Sequence, residues 1–105
     1  MIEVYIMGKT NLTLYTGVTN NLVQRVLEHK QGKLKGFTKK YNLNVCLYYE
    51  FCERMYQTII REKQIKNLSR KERLELIKSQ NPLLSDISSE LFSLVDHPQD
   101  IVLFE

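Results

Sequence analysis

The chain opens on a short run of β-branched and aromatic residues, Glu3 to Met7, that reads as a strand. Gly8-Lys9-Thr10-Asn11 is a polar turn, and Leu12 to Gly17 returns as a second strand, so the two make a hairpin. The period then changes. Leu22, Val23, Val26 and Leu27 recur at helical spacing and predict a helix to about Lys30, capped by Thr19 or Asn20. Residues 31–43 carry Gly32 and Gly36 among lysines and read as a loop. From Asn44 to Phe51 the chain alternates, with Val45, Leu47, Tyr49 and Phe51 on one side and Cys46, Tyr48 and Glu50 on the other. That is a third strand, expected to be covered on both faces. A second helix spans about Glu53 to Asn67, with Met55, Tyr56, Ile59 and Ile60 as its expected buried stripe. Ser69-Arg70-Lys71-Glu72 has the form of a capping box and opens a third helix to about Ser79. Asn81 stands before Pro82, whose ring forces it out of the helical region and ends the helix.

The predicted order β-β-α-β-α-α describes an α/β (α+β) domain. A hairpin followed by a helical return sends the third strand antiparallel to the first, giving a three-stranded antiparallel sheet of order 2-1-3 flanked by helices. The domain is expected over residues 1–87. Residues 88–105 read as an acidic C-terminal tail with room for one short helix. No repeat, low-complexity tract or linker marks a second domain.

At 105 residues, 43% apolar and 26% charged, the chain has ordinary globular composition and room for one core. No apolar run approaches the roughly 20 residues that span a bilayer, and nothing resembles a leader segment. Cys46 and Cys52 have no CxxC spacing, and the histidines are His29 and His97, which argues against a structural zinc site. Two thiols in a small domain suit a reducing compartment, so a cytoplasmic location is expected. The net charge of +3 conceals a division. Residues 1–82 hold all 15 Lys and Arg against seven acids, a balance of +8; residues 83–105 hold five acids and no Lys or Arg, a balance of −5. A basic body points to an anionic partner, and Lys30, Lys33, Lys35, Lys39 and Lys40 follow one another without an intervening acid. A solvated lysine-rich loop is the plainer alternative.

Four residue types stand out on these elements. Tyr5 and Tyr15 lie on the paired strands, where their side chains can converge on one face. Arg25 and His29 are i and i+4 neighbours on the first helix and flank its apolar stripe. Glu62 sits at the edge of the second helix's apolar stripe. Each has a structural alternative: the tyrosines as core aromatics, Arg25 paired with Glu28, His29 as a packed histidine, Glu62 paired with Lys66.

Tyr5, then ten residues on Tyr15-Thr16-Gly17-Val18-Thr19, then Arg25 and His29, resembles the GIY-YIG nuclease motif. Gly36-Phe37-Thr38-Lys39-Lys40-Tyr41, Tyr49-Glu50, Arg61-Glu62-Lys63-Gln64-Ile65-Lys66 and Asn81-Pro82 continue the resemblance over roughly residues 2–87. The series is similar to the small stand-alone branch described as URI-domain proteins, related to the nuclease module found in excision-repair nucleases. The first triplet here is Glu3-Val4-Tyr5 rather than Gly-Ile-Tyr, and Val18 stands where repair nucleases carry a lysine.

The resemblance implies an endonuclease that hydrolyses phosphodiester bonds in DNA, with DNA repair as its setting and one divalent metal, Mg²⁺ or Mn²⁺, on Glu62. It implies catalytic roles for Tyr5, Tyr15, Arg25 and His29, with Gly17, Thr19 and Asn81 supporting them. Tyr5 is the candidate for activating water, and His29 for replacing it or relaying the proton. The planar Arg25 guanidinium suits phosphate oxygens as charge develops. The lysines from Lys30 to Lys40 would track the phosphate backbone. Nucleic acid, DNA foremost, is the expected partner; no membrane is implied, and a homodimer is compatible. The competing expectation is a catalytically weak or inactive nucleic-acid-binding module on the same fold.

Overall fold

The computed structural model describes residues 2–9, 13–33 and 42–92. Strand β1 (Ile2–Gly8) pairs antiparallel with β2 (Leu14–Thr19) on one side and with β3 (Val45–Cys52) on the other. The sheet order is therefore β2-β1-β3, the order expected from the hairpin and the helical return. Helix α1 (Leu22–Lys30) follows β2; α2 (Met55–Lys66), α3 (Arg70–Gln80) and the short α4 (Ser88–Phe92) follow β3.

Strand alternation divides the core between the two faces of the sheet. Tyr5 and Met7 join Leu22 and Val26 of α1, Leu43, Cys46, Ile87 and Leu91 of α4. Val4 and Ile6 point the other way and join Leu47, Tyr48, Ile65 of α2 and Ile77 of α3. The packing thus continues past residue 87. Ile87 and Leu91 lie in the same cluster as Tyr5, so α4 is part of the domain's core, while residues 93–105 of the acidic segment lie outside the described residues.

The alternation expected for β3 fails at one place. The register with β1 shifts between Ile6 and Met7: Ile6 faces Tyr48, whereas Met7 faces Cys46. Leu47 is the extra residue of a bulge, so Leu47 and Tyr48 both reach the Val4–Ile6 cluster while Cys46 and Tyr49 turn to the Tyr5 face.

The helix ends follow local chemistry. Asn21, rather than Thr19 or Asn20, caps α1, its side chain accepting from the Gln24 amide at 3.2 Å. Thr19 Oγ1 instead accepts from the Asn21 amide at 3.1 Å. At the other end Gly32 adopts φ 69°, and the Gly32 and Lys33 amides turn back to the His29 and Glu28 carbonyls. The Ser69–Glu72 capping box is fully formed, and α3 ends at Asn81 in a non-helical conformation, φ −136°.

Helix α2 departs most from expectation. Met55, Tyr56, Ile59 and Ile60 are exposed, and the residues buried on this helix are Thr58 and Ile65. Thr58, Arg61, Glu62 and Ile65 share one face at i, i+3, i+4 and i+7. Arg61 fastens that face to the sheet: its Nε and Nη2 donate to Glu50 Oε1 and Oε2 at 2.6 and 3.2 Å, while the Tyr48 hydroxyl donates to the same carboxylate. Burial alone would raise the Glu50 carboxyl, but the Arg61 and Tyr48 hydrogen bonds and the Arg61 charge hold it below its ordinary value. The two-point ion pair and the burial of Thr58 and Ile65 orient this face toward the sheet.

The outer edge of β3 is also covered. Gln80 acts as a substitute strand residue: its Oε1 accepts from the Tyr49 amide at 3.1 Å and its Nε2 donates to the Tyr49 carbonyl at 2.8 Å. Asn81 Nδ2 donates to the Leu47 carbonyl, and Ile87 and Asp86 satisfy the Cys46 backbone. Residues 80–87 thereby blunt an edge that would otherwise offer its backbone to another chain.

Candidate functional site

The Tyr5 face of the sheet carries the most concentrated chemistry. Tyr5 is opposite Gly17 in the β1–β2 register, and Tyr15 is opposite Met7, so the two phenols are diagonal neighbours on one face. Their ring centroids are 6.3 Å apart. His29, from the last turn of α1, closes the group: its ring lies 5.5 Å from Tyr5 and 5.8 Å from Tyr15. The Tyr5 hydroxyl and His29 Nε2 are hydrogen-bonded at 3.0 Å.

Gly17 makes this arrangement possible. A Cβ there would stand 2.6 Å from the Tyr5 hydroxyl oxygen and 2.9 Å from Tyr15 Cε2. The glycine is required by close approach of the phenols, not by an unusual backbone angle.

Both partners of the hydrogen bond are withdrawn from water, Tyr5 2% and His29 6% exposed. Burial pushes the Tyr5 phenol well above its ordinary value; the neighbouring Tyr15 adds to this, and the Arg25 charge opposes it. Desolvation of a phenolate here exceeds the pull of one guanidinium. Burial, then the Arg25 charge, lowers His29 to about 4, so the imidazole is neutral at pH 7. Its Nδ1 is buried without a hydrogen-bond partner. A neutral ring with its proton on Nδ1 presents Nε2 as an acceptor for the Tyr5 proton; the other tautomer donates instead.

Arg25 stands at the open side of the group. Its Nε is 3.6 Å from Glu28 Oε1, so the alternative pairing with Glu28 is realised loosely while the charge still acts on Tyr5 and His29. Thr19, Asn20, Asn21, Gln24, Arg25 and Glu28 line a polar groove of about 230 Å³ beside the helix start.

Several of the other expected residues have partners of their own. Glu62 is on the inward face of α2, the helix whose buried Ile65 belongs to the cluster of Val4 and Ile6. Its ion-pair partner is Lys66 at 3.5 Å, and it makes no hydrogen bond or ion pair with Tyr5, Arg25 or His29. Asn81 is 4% exposed and clamps the Leu47 carbonyl and the Ser85 backbone. Lys30 is committed internally: its Nζ donates to the Asn44 carbonyl at 2.7 Å and to Asp86 Oδ2 at 2.6 Å. It ties the end of α1 to the start of β3, which takes it out of the expected row of phosphate contacts. Lys33 is exposed; Lys35, Lys39 and Lys40 lie outside the described residues.

Two residues were missed in the sequence. Glu3 is buried on the Tyr5 face opposite Thr19, its carboxyl raised by burial and its Oε2 without a partner. It occupies the motif position where glycine was expected, the one signal that marked it. Gln80 had no signal, because its role depends on the edge of β3.

A metal of the kind implied needs few protein ligands. Glu62 is 22% exposed and its Lys66 contact is longer than a hydrogen bond, so carboxylate oxygens stay accessible. Among the described residues no three His, Cys, Asp or Glu side chains converge. The donor set fits a hard cation of the Mg²⁺ type, which keeps most of its waters and takes one or two carboxylates plus substrate phosphate.

The three-stranded antiparallel sheet with paired strand tyrosines, the glycine between them and the arginine and histidine of α1 is the arrangement that the resemblance to nuclease-type domains implied. The chain belongs to the GIY-YIG superfamily: the model of the GIY-YIG catalytic domain matches residues 1–75, which include Tyr5, Tyr15, Arg25, His29 and Glu62. Its similar relatives are small proteins. A UPF0213 protein of Syntrophus aciditrophicus is 41% identical over 80 residues, covering 75% of this chain and 91% of the relative. UPF0213 proteins of Clostridium perfringens and Pediococcus acidilactici are 37% and 35% identical, covering 77% and 80% of this chain and 87% and 88% of theirs. No solved structure matches the chain. Among the described residues no helix is long and apolar enough to cross a membrane.

Proposed function

We propose that this protein is a metal-dependent endonuclease that hydrolyses phosphodiester bonds in DNA. The observation that carries the reading is the buried Tyr5–His29 hydrogen bond, with Tyr15 and Arg25 beside it. A free Tyr5 phenolate is disfavoured by burial; with the His29 proton on Nδ1, the phenol would take a proton from the attacking water while passing its own to His29 Nε2, and the low basicity of the buried imidazole favours onward loss of that proton. No standing phenolate is then needed. The water oxygen forms the new bond to phosphorus, and the bond to the leaving oxygen breaks.

Arg25, at the wall of the polar groove, holds phosphate oxygens as charge builds on them. Tyr15, only half-buried, would orient the water or phosphate. Glu62 would hold the divalent cation, Mg²⁺ or Mn²⁺, which supplies Lewis-acid stabilisation of the phosphate and leaving oxygen when bound. Lys33, with Lys35, Lys39 and Lys40, contributes the sequence-tolerant attraction to the DNA backbone.

Nicking of supercoiled plasmid with Mn²⁺, with and without chelator, tests the reading. Cleavage should require the metal and fall by at least about 100-fold in Tyr5→Phe and Glu62→Ala, with DNA affinity retained. Activity of Glu62→Ala equal to that of the parent would overturn the metal assignment. Salt-sensitive DNA binding with no cleavage under any metal would leave a binding module on the same fold.

A further inference from the structure

The face of α2 turned away from the sheet is apolar. Met55, Tyr56, Ile59 and Ile60 are 51%, 60%, 43% and 53% exposed. Their positions, i, i+1, i+4 and i+5, form one stripe along a helix of 12 residues. Together they leave on the order of 400 Å² of largely apolar surface in water, at the scale of the largest patch on a monomeric protein. The stripe belongs neither to the tyrosine–histidine group nor to the edge of β3.

We propose that this stripe is the core of an interface with a second copy of the same chain, formed by antiparallel packing of α2 on α2. A standard interface buries about 800 Å² on each partner. The stripe supplies about half of that as an apolar centre, and the exposed Arg54, Gln57, Lys63, Gln64 and Lys66 supply polar surroundings, as interfaces of this size are built.

Charge selects the arrangement. Exposed Glu53 stands just ahead of the helix and exposed Lys63 stands beyond the far end of the stripe. In an antiparallel pair a two-fold axis at the middle of the stripe, between Gln57 and Thr58, stacks Met55 and Tyr56 of one copy on Ile60 and Ile59 of its partner. The same axis brings Glu53 toward the partner's Lys63 at both ends, with the adjacent Arg54 offsetting part of that attraction. A parallel pair would set like charges side by side. A two-fold contact closes on itself and consumes the stripe completely, so it ends at a dimer. Of the residues assigned to the proposed nuclease site, Tyr5, Tyr15, Arg25 and His29 lie on other elements, and Glu62 lies on the inward face of α2, away from the stripe.

Sedimentation of the full chain from a few to about 200 µM tests this. The expected mass at the upper end is twice the 12.4 kDa of one chain. Ile60→Glu should return it to one chain mass with unchanged circular dichroism, since that side chain belongs to neither core cluster. Lys63→Glu and Glu53→Lys should each weaken the dimer several-fold, and the two together should restore it; equal affinity in all three would overturn the antiparallel arrangement. A wild-type chain at one mass throughout, or an Ile60→Glu chain that keeps the doubled mass, overturns the interface. So does a chain that doubles only once residues 93–105 are removed, which would assign the stripe to that segment.

Discussion

The Tyr5 hydroxyl occupies the space that a side chain at position 17 would need: a Cβ on Gly17 would lie 2.6 Å from that oxygen. The strand partner of the phenol is thus the reason the phenol can reach His29. Gly17→Ala should push the Tyr5 ring aside and break the hydrogen bond. Overpacking of this kind costs about 1–3 kcal/mol, to be read from urea unfolding. Nicking activity should fall by more than the lost stability explains, because the same displacement breaks the proton relay. An alanine variant with full activity would show that the close approach is packing only.

His29 should make the fold sensitive to mild acid. Its folded value of about 4 lies below the ordinary 6.5, so the unfolded chain binds the extra proton first as pH falls. The stabilisation is complete above about pH 6.5 and is lost progressively toward pH 4, by up to about 3 kcal/mol. Carboxylates held low in the fold, Glu50 and Asp86 among them, lose stability in the same direction at lower pH. The histidine's share is therefore the difference between the parent and His29→Phe, measured by denaturant unfolding at pH 7 and pH 4.5. Parallel pH profiles for the two chains would remove His29 as the cause.

Lys30 separates a structural lysine from a DNA-binding one. Lys30→Met deprives Asp86 and the Asn44 carbonyl of a shared charged donor and should destabilise the chain by about 1–3 kcal/mol. It should leave the salt dependence of DNA binding unchanged. Lys33→Met should do the reverse, lowering the slope of affinity against salt by about one. A loss of salt dependence in Lys30→Met would return that residue to the DNA-binding surface.

Gln80→Leu should open the edge of β3 without disturbing the core. The Tyr49 amide and carbonyl lose their side-chain partners, at a cost of about 1 kcal/mol. Hydrogen exchange at the Tyr49 amide should quicken more than that at Tyr5, which sits on the central strand between two partners. Uniform acceleration across the sheet would mean that Gln80 supports global stability only.

Much of the scaffold was legible in the sequence because its causes are local. Alternation placed the strands, the Ser69–Glu72 pair marked the start of α3, and Asn81 before Pro82 marked its end. Tyr5, Tyr15 and Gly17 were legible for the same reason, since a hairpin register is set by its own two strands and turn. His29 needed only the helical repeat to fall on the buried side of α1.

What required the tertiary structure are choices made between distant residues. The apolar run on α2 is a sound stripe by period, yet the helix turns its Thr58–Ile65 face inward because Glu50, on another element, grips Arg61 in two places. Lys30 meets an acid 56 positions away, and Gln80 meets a strand 31 positions away. Periodicity shows which residues share a face; which face is buried depends on the partners that folding brings to it, here Glu50 for Arg61 and the Val4–Ile6 cluster for Ile65.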